Sequence, residues 1–433
     1  MTGRNITFAT APLRMQGCNL SECSSFDPPG TATRPLLNAE EASAFNEENI
    51  FAKGGKPGAF TGPWRPQPVS LAADTPFVVG KSAPYHSVQQ ALNAALRHAC
   101  GKRVWIKVLP GVYDGVVYVP EDAPPVTIFG AGQTPQAVTL RLALDARFSP
   151  ARYREAVSGQ FSPGDPAWYL YHLCADQTTE VIGTRCSAVV WSQSDDFQLV
   201  NLSVVNSLLD SVDALTHQAV ALRTDGDRVQ LEKVRVISRQ DSLWLNTSNR
   251  LNEFVRDRIS RVSVSESYVE GDVDYVFGRA NAVFDRVHFH TVSSRGSKEA
   301  YVLAPATLPG NRWGFLVRES LFTGDAGYAG EFKAKLGRAW DQGAGKTGYL
   351  PGDTANGQLL IRDSLIDDSY DRLSPWGAAA TTARPFRGNV AARRELNEVA
   401  YNRLWEFNNR QCRECVKRAK DAARFASLSS AVR

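Results

Sequence analysis

Val229-Gln-Leu-Glu-Lys-Val-Arg-Val-Ile237 is the stretch on which the fold turns. Apolar residues alternate as far as Leu231 and resume at Val234, so the polar pair Glu232-Lys233 splits one strand into two. The design recurs at Phe197-Gln-Leu-Val-Asn-Leu-Ser-Val-Val205 and Ile259-Ser-Arg-Val-Ser-Val264. It returns at Ala282-Val-Phe-Asp-Arg-Val-His-Phe289, Gly314-Phe-Leu-Val-Arg-Glu-Ser-Leu-Phe322 and Gln358-Leu-Leu-Ile-Arg-Asp-Ser-Leu-Ile366. Copies follow one another at intervals of about 20 to about 45 residues, the excess being turn-rich insertions. No helical pattern separates them, which argues against a βαβ sheet. A regular rung with variable loops is the mark of a solenoid, and the expected fold is all-β, a parallel β-helix with Val, Ile and Leu stacked inward. A β-sandwich would need Asn-Gly or Asp-Gly hairpin turns at regular intervals, and none occur there.

Outward from the repeats, the segment 87–99 repeats apolar residues at helical spacing, with Ser87 as N-cap and Gly101 as terminator. It is expected to cap one open end of the solenoid. Residues 76–410 form the β-helix domain on this reading. Residues 1–75 are rich in Pro, Gly, Ser and Ala and read as tail and linker, with a short helix over 39–48. Residues 395–410 read as a peripheral helical or extended segment on the outside, and 411–433 as a basic C-terminal tail.

The chain has 433 residues, 43% hydrophobic and 22% charged, the composition of an ordinary globular protein. A formal charge of +4 without a Lys/Arg run argues against a nucleic-acid partner and suits an acidic substrate. No run reaches the roughly 18 apolar residues of a membrane span. Residues 1–23 are polar and interrupted, with no recognisable signal peptide as written. Of seven cysteines, Cys174 and Cys186 flank a short polar loop and suit a disulfide worth roughly 3 kcal/mol. Cys412-Arg-Glu-Cys415 fits a disulfide hairpin, two free thiols or half a zinc site, zinc being least favoured without a second CxxC.

Function concentrates in Gly271-Asp-Val-Asp-Tyr-Val-Phe-Gly278, a strand-like run holding two carboxylates. On a strand Asp272 and Asp274 share one face, with Val273 and Tyr275 on the other. Such a pair is costly to bury without partners, so it reads as a site. Three more segments belong with it: His217-Gln-Ala-Val-Ala-Leu222, Arg239-Gln-Asp-Ser-Leu243 and Leu336-Gly-Arg-Ala-Trp-Asp341. Residues one rung apart in a solenoid lie about 4.8 Å apart. Gln218, Asp241 and Asp274 are each separated by about one repeat.

These four motifs, in this order, resemble the pectin methylesterase (pectinesterase) family over residues 76–410. The bacterial branch with outer-membrane lipoprotein pectinesterases and related proteins named acyl-CoA thioester hydrolases is most similar. The resemblance implies a right-handed β-helix and a metal- and cofactor-independent ester hydrolase acting on methylated galacturonan, an acidic polysaccharide or its oligomers. On that likeness Asp274 is the nucleophile, Asp241 the general acid and then base, and Arg338 the partner that keeps Asp274 charged and oriented. Gln218 and Gln240 donate to the oxyanion, while Trp340 stacks on a sugar and Val273, Phe277 and Tyr275 shape the pocket. Asp272 is a turn or ladder residue on the same grounds. The sequence departs from the family in Ala339, where Pro is usual, and in Tyr275, where Phe is usual.

The resemblance also implies an extracytoplasmic place, secreted or at the outer membrane. Cys23-Ser-Ser sits where a lipid-bearing Cys would fall, so a membrane tether at Cys23 is expected only if the start was misassigned. Acyl-CoA thioester hydrolysis is the competing activity, disfavoured because all four motifs are present without a Gly-rich phosphate loop. A glycan-binding β-helix without turnover is the non-enzymatic alternative. No Gly-x-Ser-x-Gly elbow points to a serine esterase.

Overall fold

The computed structural model describes residues 20–413. Its strands gather into two large sheets, of 18 and 7 strands, which the chain visits in alternation. Leu222–Thr224 lies in the small sheet, Val229–Ile237 in the large one, Leu243–Leu245 in the small one again, and so on. Each strand pairs in parallel with its counterpart one circuit later, which puts like residues above like. Val229, Val262, Ala282, Phe315, Leu359 and Leu404 form one such column, all buried. Leu222, Leu243, Val276 and Leu303 form another on the small sheet. Removing a side chain to Ala from such a column costs about 2–5 kcal/mol, because the neighbours above and below cannot close the gap.

The polar interruption in each repeat has a backbone cause. Asn201, Lys233, Glu266, Arg286, Glu319, Asp363 and Asn408 all lie in the left-handed region, with φ between 47° and 55°. One such residue per circuit bends the strand between two faces of the large sheet, as a bulge would. The ladder bond broken by the bend is replaced by a side chain. Ser267 Oγ accepts from the Val234 N–H, Ser320 Oγ from Val287, Ser364 Oγ from Ser320, and Asn409 Oδ1 from Ser364, each at 3.0 Å.

The helix Val88–His98 forms where the spacing places it, Ser87 accepting from the Gln90 N–H at 3.2 Å, and packs on the first strands. Two other expectations differ. Much of the segment read as linker is folded: Leu37, Ala42, Phe45, Ile50 and Phe51 pack on Val283, Leu316, Leu360 and Trp405 of the large sheet. Its helix is broken in two, Ala39–Ser43 and Glu47–Ile50, because Asn46 caps a second start by accepting from the Asn49 N–H. The peripheral C-terminal segment is instead the last rung. Arg403–Phe407 and Arg410–Cys412 continue the parallel ladder, their apolar alternation matching the rung before.

That last rung is covered by the N-terminal segment. Cys23–Ser24 pairs antiparallel with Arg410–Cys412, and Cys23 is disulfide-bonded to Cys412. The lipid tether and the 412–415 hairpin are thereby both corrected, since each needs a sulfur already spent in this bond; Cys415 lies outside the described residues. Arg34 clamps the same junction through Nε and Nη2 to Glu406, at 2.7 and 2.9 Å, with both groups buried. Cys174 and Cys186 are joined as their spacing suggests. Among the described residues no helix is long and apolar enough to cross a membrane.

Candidate active site

The cleft lies on the small sheet, where the motif segments stack as successive rungs. Gln218 bridges to Gln240, the Asp241 N–H donates to Val273 O at 3.0 Å, and the Arg338 N–H donates to Leu303 O at 3.0 Å. A cavity of about 390 Å3 is lined by Gln218, Gln240, Asp241, Asp274, Phe277 and Arg338, with Trp340 and Trp244 at its aromatic wall.

The run 271–278 is not one strand. Tyr268–Gly271 belongs to the large sheet and Val276–Gly278 to the small one, and 272–275 turn the corner between them. Asp274 has φ 49°, so the two-residue alternation fails there and Asp272 and Asp274 do not share a face. Asp272 pairs inside with Arg295, through Nε at 2.7 Å and Nη2 at 3.0 Å, both side chains 1% exposed. Asp274 turns into the cleft. Gly271 and Gly278 frame the corner because a Cβ on either would lie 2.5 Å or less from neighbouring backbone, Arg239 O and Leu245 O respectively.

Arg338 reaches Asp274 from two rungs away, Nε to Oδ1 and Nη2 to Oδ2, each at 2.8 Å. Its guanidinium crosses the face of Tyr301, 4.1 Å from the ring centroid, which fills the intervening rung. Burial pulls the guanidinium down, but Asp274 more than offsets it and the net shift is upward. Asp241 is held well above the usual carboxylate range, first by burial and then by the charge of Asp274, against the opposing pull of Arg338. One cleft therefore holds a guanidinium-bound carboxylate beside a carboxyl whose ionisation is opposed by burial and by its neighbour's charge.

Gln240 is fixed through Oε1, which accepts from the His217 N–H at 3.0 Å and leaves its amide group for the cleft. His217 is held in turn by Asp145 at 2.6 Å and Asp213 at 3.0 Å. Trp340 stands edge-on to Phe277 at 5.7 Å and Trp244 at 6.5 Å, while Trp244 and Phe277 stack at 5.0 Å.

Two residues expected in the pocket lie elsewhere. Tyr275 is wholly buried, its hydroxyl on Thr291 Oγ1 at 2.9 Å, because the corner at Asp274 turns it into the core. Val273 is buried in the corner and does not line the cavity. Trp244, Tyr301, Gln342 and Thr381 were not read as site residues, yet Tyr301 backs Arg338 and the others line the cleft. Only Trp244 carried a readable signal: between Leu243 and Leu245 it must face outward, in register with Phe277.

Comparison with known proteins agrees with this architecture. The pectinesterase family model matches residues 173–346. Pectinesterase B of Dickeya dadantii is 60% identical over 392 residues, covering 88% of this chain and 90% of the relative. The crystal structure of Escherichia coli YbhC superposes with a TM-score of 0.83 at 42% identity, over 90% of this chain and 97% of that one. The structure of rice weevil pectin methyl esterase superposes at 0.80 with 35% identity, over 89% and 99%. Fold, cleft and relatives together place the protein among the carbohydrate esterases. Within that class the chain belongs to the pectinesterase family.

Proposed function

We propose that this protein is a right-handed parallel β-helix that removes methyl esters from galacturonate units of pectin, releasing methanol. The observation that carries the reading is the pairing of Asp274, clamped by Arg338, with a buried Asp241 whose carboxyl resists ionisation. An Asp274 oxygen attacks the ester carbonyl carbon, and the oxyanion that forms is met by the Gln218 and Gln240 amides. The carbon–oxygen bond to the methoxy group then breaks as Asp241 gives it a proton, so methanol leaves and a mixed anhydride with Asp274 remains. Asp241, now ionised, takes a proton from water. The hydroxide adds to the galacturonyl carbon, Asp274 departs as carboxylate, and the galacturonic acid product is released. Arg338 holds Asp274 in line throughout, and Trp340 with Phe277 offers a sugar-stacking wall.

We further infer an extracytoplasmic location, supported by two disulfides among the described residues. The experiment is methanol release from methylated galacturonan, run beside acyl-CoA turnover, with Asp274→Asn as control. Methanol production by the parent and its loss in the variant is the expected result. Preferential hydrolysis of the acyl-CoA, or methanol release surviving the substitution, would overturn the reading.

A further inference from the structure

A second cavity of about 390 Å3 lies around the corner from the cleft, between the N-terminal segment 49–60 and the loop 247–259. Its walls carry Lys53, Arg258, Arg279 and Arg312 against a single carboxylate, Asp257. Phe60, Phe254 and Trp313 line it as well, Phe60 and Phe254 being 39% and 48% exposed. This union of cations held on aromatic rings suits a negatively charged sugar.

Arg279 is the most informative of these groups. It is 9% exposed, stacks on Phe254 with its guanidinium carbon 3.5 Å from the ring centroid, and has no carboxylate partner among the described residues. Its Nη1 is without a hydrogen-bond partner, as is Oγ1 of the buried Thr247 in the same wall. Burial, with a smaller contribution from nearby Arg256, pulls the Arg279 guanidinium down to about 10. A buried cation beside an unsatisfied hydroxyl is costly unless something anionic completes it. Lys53 and Arg312, both exposed, form no ion pair among the described residues and rest on Phe60 and Trp313. Arg258 is partly satisfied by Glu121 at 3.5 Å.

The two cavities are joined by one hydrogen bond. Arg279 follows Gly278 at the end of the active-site strand, and its Nε donates to Gln342 Oε1, a residue that lines the catalytic cleft beside Trp340. We propose that this pocket binds the free carboxylate of a de-esterified galacturonate in the same polymer whose neighbouring ester enters the cleft. The proposal rests on the esterase reading above. That reaction converts a neutral ester into an anion, so each turnover creates the ligand for which the pocket is equipped. Partly de-esterified pectin is then held better than fully methylated pectin.

The test is calorimetric binding of fully de-esterified tetragalacturonate to the full chain, with the fully methylated tetramer as neutral comparator. A Lys53→Ala/Arg312→Ala double variant is expected to bind the anionic tetramer about tenfold more weakly, as loss of charge-assisted contacts requires. Asp257→Asn is expected to bind it more tightly, a gain that misfolding cannot produce. Unchanged affinity in both variants, or equal weakening toward the methylated tetramer, overturns the pocket. Methanol release by the parent protein is scored separately. If methanol forms but the variants bind as the parent does, the pocket fails and the esterase stands; if the variants respond but no methanol forms, the reverse holds.

Discussion

Asp272 and Asp274 stand two residues apart, each gripped by two nitrogens of one arginine, and their surroundings could hardly differ more. The Asp272–Arg295 pair is 1% exposed on both sides, and Arg295 also donates to the carbonyls of Asp213 and Leu215 at 3.1 Å. The Asp274–Arg338 pair is 13% and 14% exposed and faces a cavity. The sealed pair ties the corner to the loop ahead of His217 and Gln218. The open pair presents a charged oxygen to whatever enters. The same ion pair is thus a fastener when buried and a reagent when left open.

Substitutions that part the two roles should break or sharpen this contrast. Asp274→Asn should lower methanol release by about ten-thousandfold, as loss of a covalent nucleophile does, while the melting temperature holds near that of the parent. Asp272→Ala should do the opposite kind of damage, costing about 3–5 kcal/mol in a denaturant titration because Arg295 is left buried and unpaired. A stable Asp272→Ala protein would remove the distinction drawn here.

Asp241→Asn should cost roughly hundred- to ten-thousandfold in rate as the general acid is lost. The same variant should gain stability over the parent as pH rises. The folded-state pKa of Asp241 is raised, so its contribution is present at low pH and lost as pH climbs through that value. Melting curves compared at pH 5 and pH 8 check this, with the larger gap expected at pH 8. For the parent enzyme, kcat/KM should fall as pH rises through the raised value, since only protonated Asp241 can act as acid. Gln218→Ala should reduce kcat by about a hundredfold with little change in KM, if its amide serves the oxyanion alone. Trp340→Ala should have the smallest effect, a several-fold rise in KM from a lost stacking contact of about 1 kcal/mol.

The coil was legible because its bend recurs in every circuit, and a polar residue between two apolar runs is visible at each of Lys233, Glu266 and Asp363. The cleft was legible in outline because each motif occupies one rung and the rungs stack in order. What escaped notice was whatever depends on a single dihedral or a distant partner. The left-handed turn at Asp274 cancels the strand alternation, and that sends Tyr275 into the core and Asp272 to Arg295. Tyr301 reads as an ordinary strand residue until Arg338 is seen lying across it. The partner of Cys412 is 389 residues away, beyond the reach of any local pattern.

That distant bond bears on how the molecule keeps to itself. A stack of parallel strands ends in a bare row of amide and carbonyl groups, a template on which another molecule can grow. Here the row at Arg410–Cys412 is occupied by Cys23–Ser24, and Leu36 covers Glu406 on the adjoining strand. Opening the disulfide under reducing conditions would free Cys23–Ser24 and uncover the strand edge at Arg410–Cys412, while Arg34 still holds Glu406. With the first coil still capped by the helix Val88–His98, the expected consequence is tail-to-tail association that rises with protein concentration and reverses when the sulfurs are rejoined.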